Sequence, residues 1–177
     1  IWNNSGNSAI TFRGGITNSG TFTAGSGVQT FDTNSQALTG TFSIPSVTIT
    51  GVTLTNNGTL TVTTALAGTG GLTNAGTGTL NINFTGALGI TTLTATASGN
   101  TVNYGYAGAQ TVKAISYDNL TFSGSGIKTT TGVTVNGILS MEGTATVSAA
   151  PTYGASAALQ YQETSIQSAG PELTATS

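Results

Sequence analysis

Apolar and polar residues alternate with a period of two through much of the chain. The clearest case is residues 47–63, where valine, isoleucine and leucine alternate with threonine, and Gly51 and the Asn56-Asn57-Gly58 sequence interrupt the alternation. Successive side chains of a strand point to opposite faces, so the aliphatic residues are predicted to face inward and the threonines outward. Glycine and Asn-Gly supply the positive φ angles of tight corners. The interruptions therefore predict three short strands per repeat.

A longer repeat is superimposed on this alternation. Eight apolar residues at strand starts recur with successive gaps of 20, 18, 20, 22, 20, 17 and 20 residues. They are Phe22, Phe42, Leu60, Leu80, Val102, Phe122, Leu139 and Leu159. A repeat this short cannot enclose a core alone, so it must stack on its neighbours. We predict that these eight side chains form one stacked structural core column.

The predicted fold is all-β: a right-handed parallel β-solenoid, or β-helix, of about nine coils with about 20 residues and three short strands per coil. Residues 1–177 are expected to form a single segment of a longer repeat protein, with looser repeats in 1–99 and clearer ones in 100–177. A sandwich or jelly roll also has many short strands, but its loops vary more than this period does. No charged or amphipathic capping segment is evident, so both ends of the stack are expected to be open.

Composition narrows the classes of function. The chain has three basic and five acidic residues, a net charge of −2, and no cysteine or histidine. Scarce basic residues disfavour binding to nucleic acid or anionic lipid. Without Cys and His, disulfide scaffolds, thiolate chemistry and imidazole catalysis are excluded. We predict that the protein is not an enzyme, binds no metal or cofactor, and has no membrane span in this segment, because no apolar run reaches the length required.

The acidic residues are dispersed, without the spacing of a calcium loop. Asp118 and Glu142 lie about one coil apart, so stacking would bring them together as the carboxylate pair of a glycoside hydrolase. No third acid, histidine or flanking arginine lies near them in the sequence. Isolated solvated charges are therefore the favoured interpretation.

Two further patterns leave a binding function open. Exposed tyrosine rings in the second half would form a platform for sugars, although stacking inside the solenoid is favoured. These tyrosines are Tyr104, Tyr106, Tyr117, Tyr153 and Tyr161. Thr-x-Thr pairs, such as Thr59 and Thr61, would order water on an ice-binding face if they shared one face in every coil. They fall on several strands of the repeat, which favours an ordinary solvated surface.

The second half also carries a longer motif. Residues 117–129, YDNLTFSGSGIKT, and 133–139, VTVNGIL, resemble the repeat unit of very large surface proteins of Gram-negative bacteria, the β-strand-repeat or filamentous-haemagglutinin-like adhesins. Residues 100–104, 110–113 and 153–161 are similar to flanking parts of that unit. The resemblance implies an extracellular β-helical stalk or fibre at the bacterial cell surface and carries over no catalytic residue.

A structural or adhesive role in an extracellular bacterial surface fibre is the function that these observations favour. Its expected partners are neighbouring repeats or copies of itself, stacked end to end, and surface glycans or host or other cell surfaces. The alternative is an ice-binding or carbohydrate-binding β-solenoid module. No catalytic, cofactor-binding or metal site is expected in either case.

Overall fold

The computed structural model describes residues 1–163, 166 and 168–173. Within these residues the chain forms 22 β-strands and no helix. Each strand pairs in parallel with the strand one turn away, which builds a β-solenoid of about eight turns spaced by about 19 residues. The all-β solenoid prediction is confirmed, with about eight turns where about nine were expected. None of the described residues belongs to a helix long and apolar enough to cross a membrane.

The strands are short, from two residues in β1 to ten in β10. Their bounds are β1 Trp2–Asn3, β2 Ile10–Phe12, β3 Ile16–Asn18, β4 Phe22–Thr23, β5 Gln29–Phe31, β6 Gln36–Ser43, β7 Ser46–Ile49, β8 Thr53–Asn56, β9 Thr59–Val62, β10 Ala65–Asn74, β11 Thr79–Ile82, β12 Gly89–Thr94, β13 Thr101–Tyr104, β14 Gln110–Thr111, β15 Ser116–Tyr117, β16 Asn119–Phe122, β17 Ser125–Thr129, β18 Thr134–Val135, β19 Ile138–Met141, β20 Thr144–Val147, β21 Thr152–Tyr153 and β22 Ala158–Tyr161.

The strands stack into three faces. The long face consists of β6, β9, β11, β13, β16, β19 and β22. The second face runs through β6, β8, β10 and β12 and continues in β15, β18 and β21. The third runs through β2, β5, β7, β10 and β12, and β14, β17 and β20 lie on its later part. Strand β10 bends across a corner, so it pairs with β7 at one end and β8 at the other.

One column of apolar side chains runs down the inside of the long face. Its members are in register from coil to coil: Phe42, Leu60, Leu80, Val102, Leu120, Leu139 and Leu159. We call this the core column. The ring of Phe22 lies on Phe42, with 5.1 Å between centroids, at the N-terminal end of the column. Seven of the eight predicted residues therefore lie in the column or directly on its end.

The prediction is wrong at Phe122, because Leu120 pairs with both Val102 and Leu139. Phe122 pairs with Met141 and its ring lies against Tyr104, so it belongs to a second inward column. Leu120 and Phe122 both face inward on one strand. The alternation alone does not distinguish them, and the register depends on the length of the arc that joins β13 to β16.

Buried asparagines satisfy backbone groups at one corner. The Asn56 amide donates to Asn74 Oδ1 at 2.8 Å, and the Asn74 amide donates to the carbonyls of Gly78 at 2.9 Å and Thr101 at 3.0 Å. Both side chains are fully buried. Unpaired buried carbonyls are costly. These asparagine side chains therefore supply the hydrogen bonds that the backbone carbonyls at the corner would otherwise need from water.

Candidate functional site

The N-terminal end of the solenoid exposes an aromatic surface. We define the N-terminal end layer as Ile1, Trp2, Phe12, Ile16 and Phe22, which line a shared depression. The Trp2 ring stacks on Phe22 at 6.0 Å with an interplanar angle of 10° and lies 5.8 Å from the ring of Phe12. Trp2 is 40% exposed. Apolar surface of this kind marks an interaction site when it is contiguous.

The backbone at this end is also open. Strand β1 pairs only with β4, β2 only with β5, and β3 only with β6 among the described residues. The other edge of each strand therefore presents N–H and C=O groups that a further parallel strand would satisfy.

A turn packs on part of the C-terminal end, where β20, β21 and β22 have no further strand partner within the described residues. We define the plug as residues 170–173, a turn closed by the Leu173 N–H donating to the Gly170 carbonyl at 3.1 Å. Its Glu172 is 2% exposed. The Tyr161 hydroxyl and the Gly170 N–H donate to Glu172 Oε1 at 2.8 and 2.7 Å. The Tyr153 hydroxyl donates to the Glu172 carbonyl at 2.7 Å.

The carboxylate of the plug is only half satisfied. Glu172 Oε2 is buried and makes no hydrogen bond. Burial and the nearby charge of Glu172 raise the pKa of Tyr153 to about 12, and burial and the hydrogen bond to Glu172 raise the pKa of Tyr161 to about 12. The tyrosines are therefore neutral donors at ordinary pH. A buried acceptor without a donor is unfavourable, so the plug contains an intrinsic weakness.

A buried lysine lies on the third face. Lys128 is fully buried while its neighbour Ile127 is 54% exposed, the reverse of what hydrophobicity favours. Its Nζ donates to Gln110 Oε1 at 2.7 Å and to the carbonyls of Tyr106 at 2.8 Å and Gly108 at 3.0 Å. No carboxylate pairs with it in the described part of the chain. The arc of residues 106–110 thus supplies an oxygen cage that replaces water around the ammonium.

Burial lowers the pKa of Lys128 to about 8 from 10.5. Between these two pH values the unfolded chain keeps a proton that the folded chain has lost, so the free energy of unfolding is expected to rise with pH across this window. Replacing Lys128 with methionine should abolish the rise. Urea unfolding of both proteins at about pH 7.5 and about pH 9.5 tests this. Lys113→Met, at a partly exposed site, should keep the rise, and an unchanged pH dependence in Lys128→Met would contradict the assignment.

The carboxylate pair considered from the sequence does not form. The Gly137 N–H donates to the Asp118 carbonyl at 2.9 Å, so these residues stack at one end of the long face. Glu142 lies five residues beyond Gly137, which corresponds to roughly 16 Å along a strand. That exceeds the ~5 to 9.5 Å of glycosidase carboxylates. Among the described residues no group of three acids, His or Cys is placed to hold a metal.

The tyrosines do not share one exposed surface. Tyr104 and Tyr117 are buried in the core, with their hydroxyls 3.1 Å apart, and the Tyr117 hydroxyl donates to the Lys113 carbonyl at 2.8 Å. Burial raises the pKa of both. Tyr153 is half-buried and Tyr161 is 39% exposed, and both hydroxyls donate to Glu172.

Hydroxyl side chains form rows on the outside of the long face. Thr41, Thr59, Thr79 and Thr101 are in register over four coils. A second row, two residues further along the strands, consists of Ser43, Thr61, Asn81 and Asn103. A search for Thr-x-Thr pairs does not find these rows, because the residue two positions after the threonine is Ser in β6, Thr in β9 and Asn in β11 and β13.

The fold defines a parallel β-solenoid repeat protein of about eight turns. Comparisons of the chain with protein-family models, with curated proteins and with solved structures give no match.

Proposed function

We propose that this protein is a structural or adhesive segment of an extracellular bacterial surface fibre, in which solenoid ends stack on one another. The observation that carries the proposal is the N-terminal end layer, where exposed aromatic rings and unpaired strand edges coincide. Both are satisfied together by another parallel coil, from a neighbouring repeat or from a second copy. The resemblance of residues 117–139 to adhesin repeats supports the extracellular setting.

The weak charge of the surface also supports stacking. A net charge of −2 over 177 residues gives little repulsion between two rods, and physiological salt screens it beyond about 8 Å. The apolar area removed from water therefore meets little electrostatic opposition.

Association through the N-terminal end layer is tested by Trp2→Asp. The wild-type protein is expected to form filaments at high concentration, with a layer spacing near 4.8 Å along the axis. Trp2→Asp should remain dispersed, because it places a charge in the stacked apolar layer. Light scattering, electron microscopy and the fluorescence of the single tryptophan measure this.

Thr94→Asp is the matched control, since it adds the same charge to an exposed position on the second face. It should assemble like the wild type. A wild-type protein that stays monomeric at every concentration would overturn the end-to-end proposal.

A second candidate function is binding to ice, favoured by the two rows of hydroxyl and amide side chains on the long face. Parallel strands space these groups at about 4.8 Å between coils and about 6.6 Å along each strand, a regular array that orders water. Thermal hysteresis of the monomeric protein would support this function, and its absence would remove it. A glycan array on the same sample tests the carbohydrate-binding alternative.

A further inference from the structure

Two corners of the solenoid join an asparagine to a glycine. The pairs are Asn57-Gly58 and Asn136-Gly137, and the sequence has no other Asn-Gly pair. Each lies between a strand of the second face and a strand of the long face, β8 and β9 in one coil and β18 and β19 in the other. Both asparagines are exposed. Because the two corners share this setting, their chemistry can be compared directly.

An Asn-Gly pair is prone to one intramolecular reaction. The backbone nitrogen of the glycine attacks the side-chain carbonyl carbon of the asparagine and closes a succinimide ring. Glycine has no Cβ to obstruct this approach. The nitrogen must first lose its proton and leave its hydrogen-bond partner. The hydrogen bond that the folded protein gives to the glycine N–H therefore controls the rate of ring closure.

The two glycine N–H groups are held differently. The Gly137 N–H donates to the backbone carbonyl of Asp118 in the preceding coil at 2.9 Å. The Gly58 N–H donates to the side-chain Oδ1 of Asn56, two residues earlier, at 3.3 Å. That distance exceeds the range of about 2.7–3.2 Å that is typical of N–H···O hydrogen bonds. The bond at Gly137 thus breaks only when two coils separate, whereas the bond at Gly58 is local and long.

The asparagine N–H groups of the two corners do not differ in this way. The Asn57 N–H donates to the Leu38 carbonyl at 2.8 Å, and the Asn136 N–H donates to the Tyr117 carbonyl at 2.9 Å. Both partners are backbone groups of the preceding coil. The glycine N–H is therefore the feature that distinguishes the two pairs.

The corner also requires the glycine that makes Asn57 reactive. A Cβ at Gly58 would overlap the backbone carbonyl oxygen of Gly40 in the preceding coil. A larger residue, which would slow ring closure, does not fit there. The same holds at the other corner, where a Cβ on Gly137 would lie 2.6 Å from Asn119 Oδ1.

We propose that Asn57 is a site of spontaneous deamidation in the folded protein, and that the stacking of coils protects Asn136. The Gly58 nitrogen bonds to Asn57 Cγ, the bond between Cγ and Nδ2 breaks, and ammonia leaves with the proton that Gly58 has lost. Water then opens the ring at one of its two carbonyl carbons. Opening at Cγ gives aspartate, and opening at the backbone carbonyl carbon gives isoaspartate. Both products add a negative charge at the corner.

Isoaspartate also changes the backbone, because the chain then runs through the former side chain and gains one carbon before Gly58. Gly58 packs against Gly40 without room for a Cβ, so the added carbon must displace this contact. We therefore expect the isoaspartate form, separated by anion exchange, to unfold at a lower urea concentration than the unreacted protein.

Trypsin separates the two sites, which allows each rate to be measured. The basic residues are Arg13, Lys113 and Lys128, so Asn57 lies in the peptide 14–113 and Asn136 in the peptide 129–177. Folded protein is incubated in mildly alkaline buffer, and each peptide is weighed over time by mass spectrometry. The peptide 14–113 should exchange NH2 for OH at least about tenfold faster than 129–177, because only the second site needs the coils to open. In guanidinium chloride the two rates should become similar.

Asn57→Gln is the matched variant, because the longer side chain does not form the succinimide ring. It should remove the fast mass gain from 14–113 and leave the rate of 129–177 unchanged, and circular dichroism verifies that it folds. Equal rates in the folded wild type, or a faster rate in 129–177, would overturn the protection by stacking. A gain in 14–113 that persists in Asn57→Gln, or that appears only after unfolding, would overturn the site at Asn57.

Discussion

Replacing Leu80 with alanine is expected to lower the free energy of unfolding by about 2–5 kcal/mol. Leu80 is completely buried and lies in register between Leu60 and Val102, which are also completely buried. The cavity left by the truncation cannot close, because hydrogen bonding holds the neighbouring strands at about 4.8 Å. Urea unfolding followed by circular dichroism measures the loss.

The matched control is Thr79→Ala, the adjacent residue on the same strand. Thr79 belongs to the outer row of the long face and is only half-buried. Its truncation should change the free energy of unfolding by no more than about 0.5 kcal/mol. Equal losses at the two positions would show that Leu80 is not part of a stacked core.

The second large effect is expected at Gly68, where β10 turns its corner. Its φ of +119° lies in a region that L-residues rarely adopt, and a Cβ there would overlap the backbone carbonyl oxygen of Ile49 in the preceding coil. Gly68→Ala should cost about 3 kcal/mol or more, since backbone strain and steric overlap add. The measurement is the yield of folded protein and its urea midpoint.

Gly51 separates the cost of the backbone conformation from the cost of the steric overlap. It also has a positive φ, +66°, but a Cβ there would meet no atom within 4 Å. Gly51→Ala should therefore cost only the left-handed conformation, about 1–2 kcal/mol. If both substitutions cost the same, the close approach of neighbouring coils at Gly68 is not what requires glycine there.

The β-solenoid was predictable from local properties of the chain. Alternating aliphatic and threonine residues, as in 47–50 and 59–62, specify strands with one buried face, and Gly51 and Gly58 mark corners. These preferences act within a few residues. The repeat of about 20 residues then requires stacking, because one coil cannot enclose a core. For the same reason most of the core column could be predicted.

The parts that could not be predicted depend on contacts between coils. Leu120 replaces Phe122 in the core column because the arc before β16 sets the register, and both residues satisfy the local alternation. Lys128 lies inside and Ile127 outside because the backbone carbonyls of the preceding arc surround the ammonium. Glu172 is buried because the hydroxyls of Tyr153 and Tyr161 donate hydrogen bonds to it. In each case at least one deciding partner is about 20 residues away along the chain, as Tyr153 is from Glu172, so it comes into reach only when the coils are stacked.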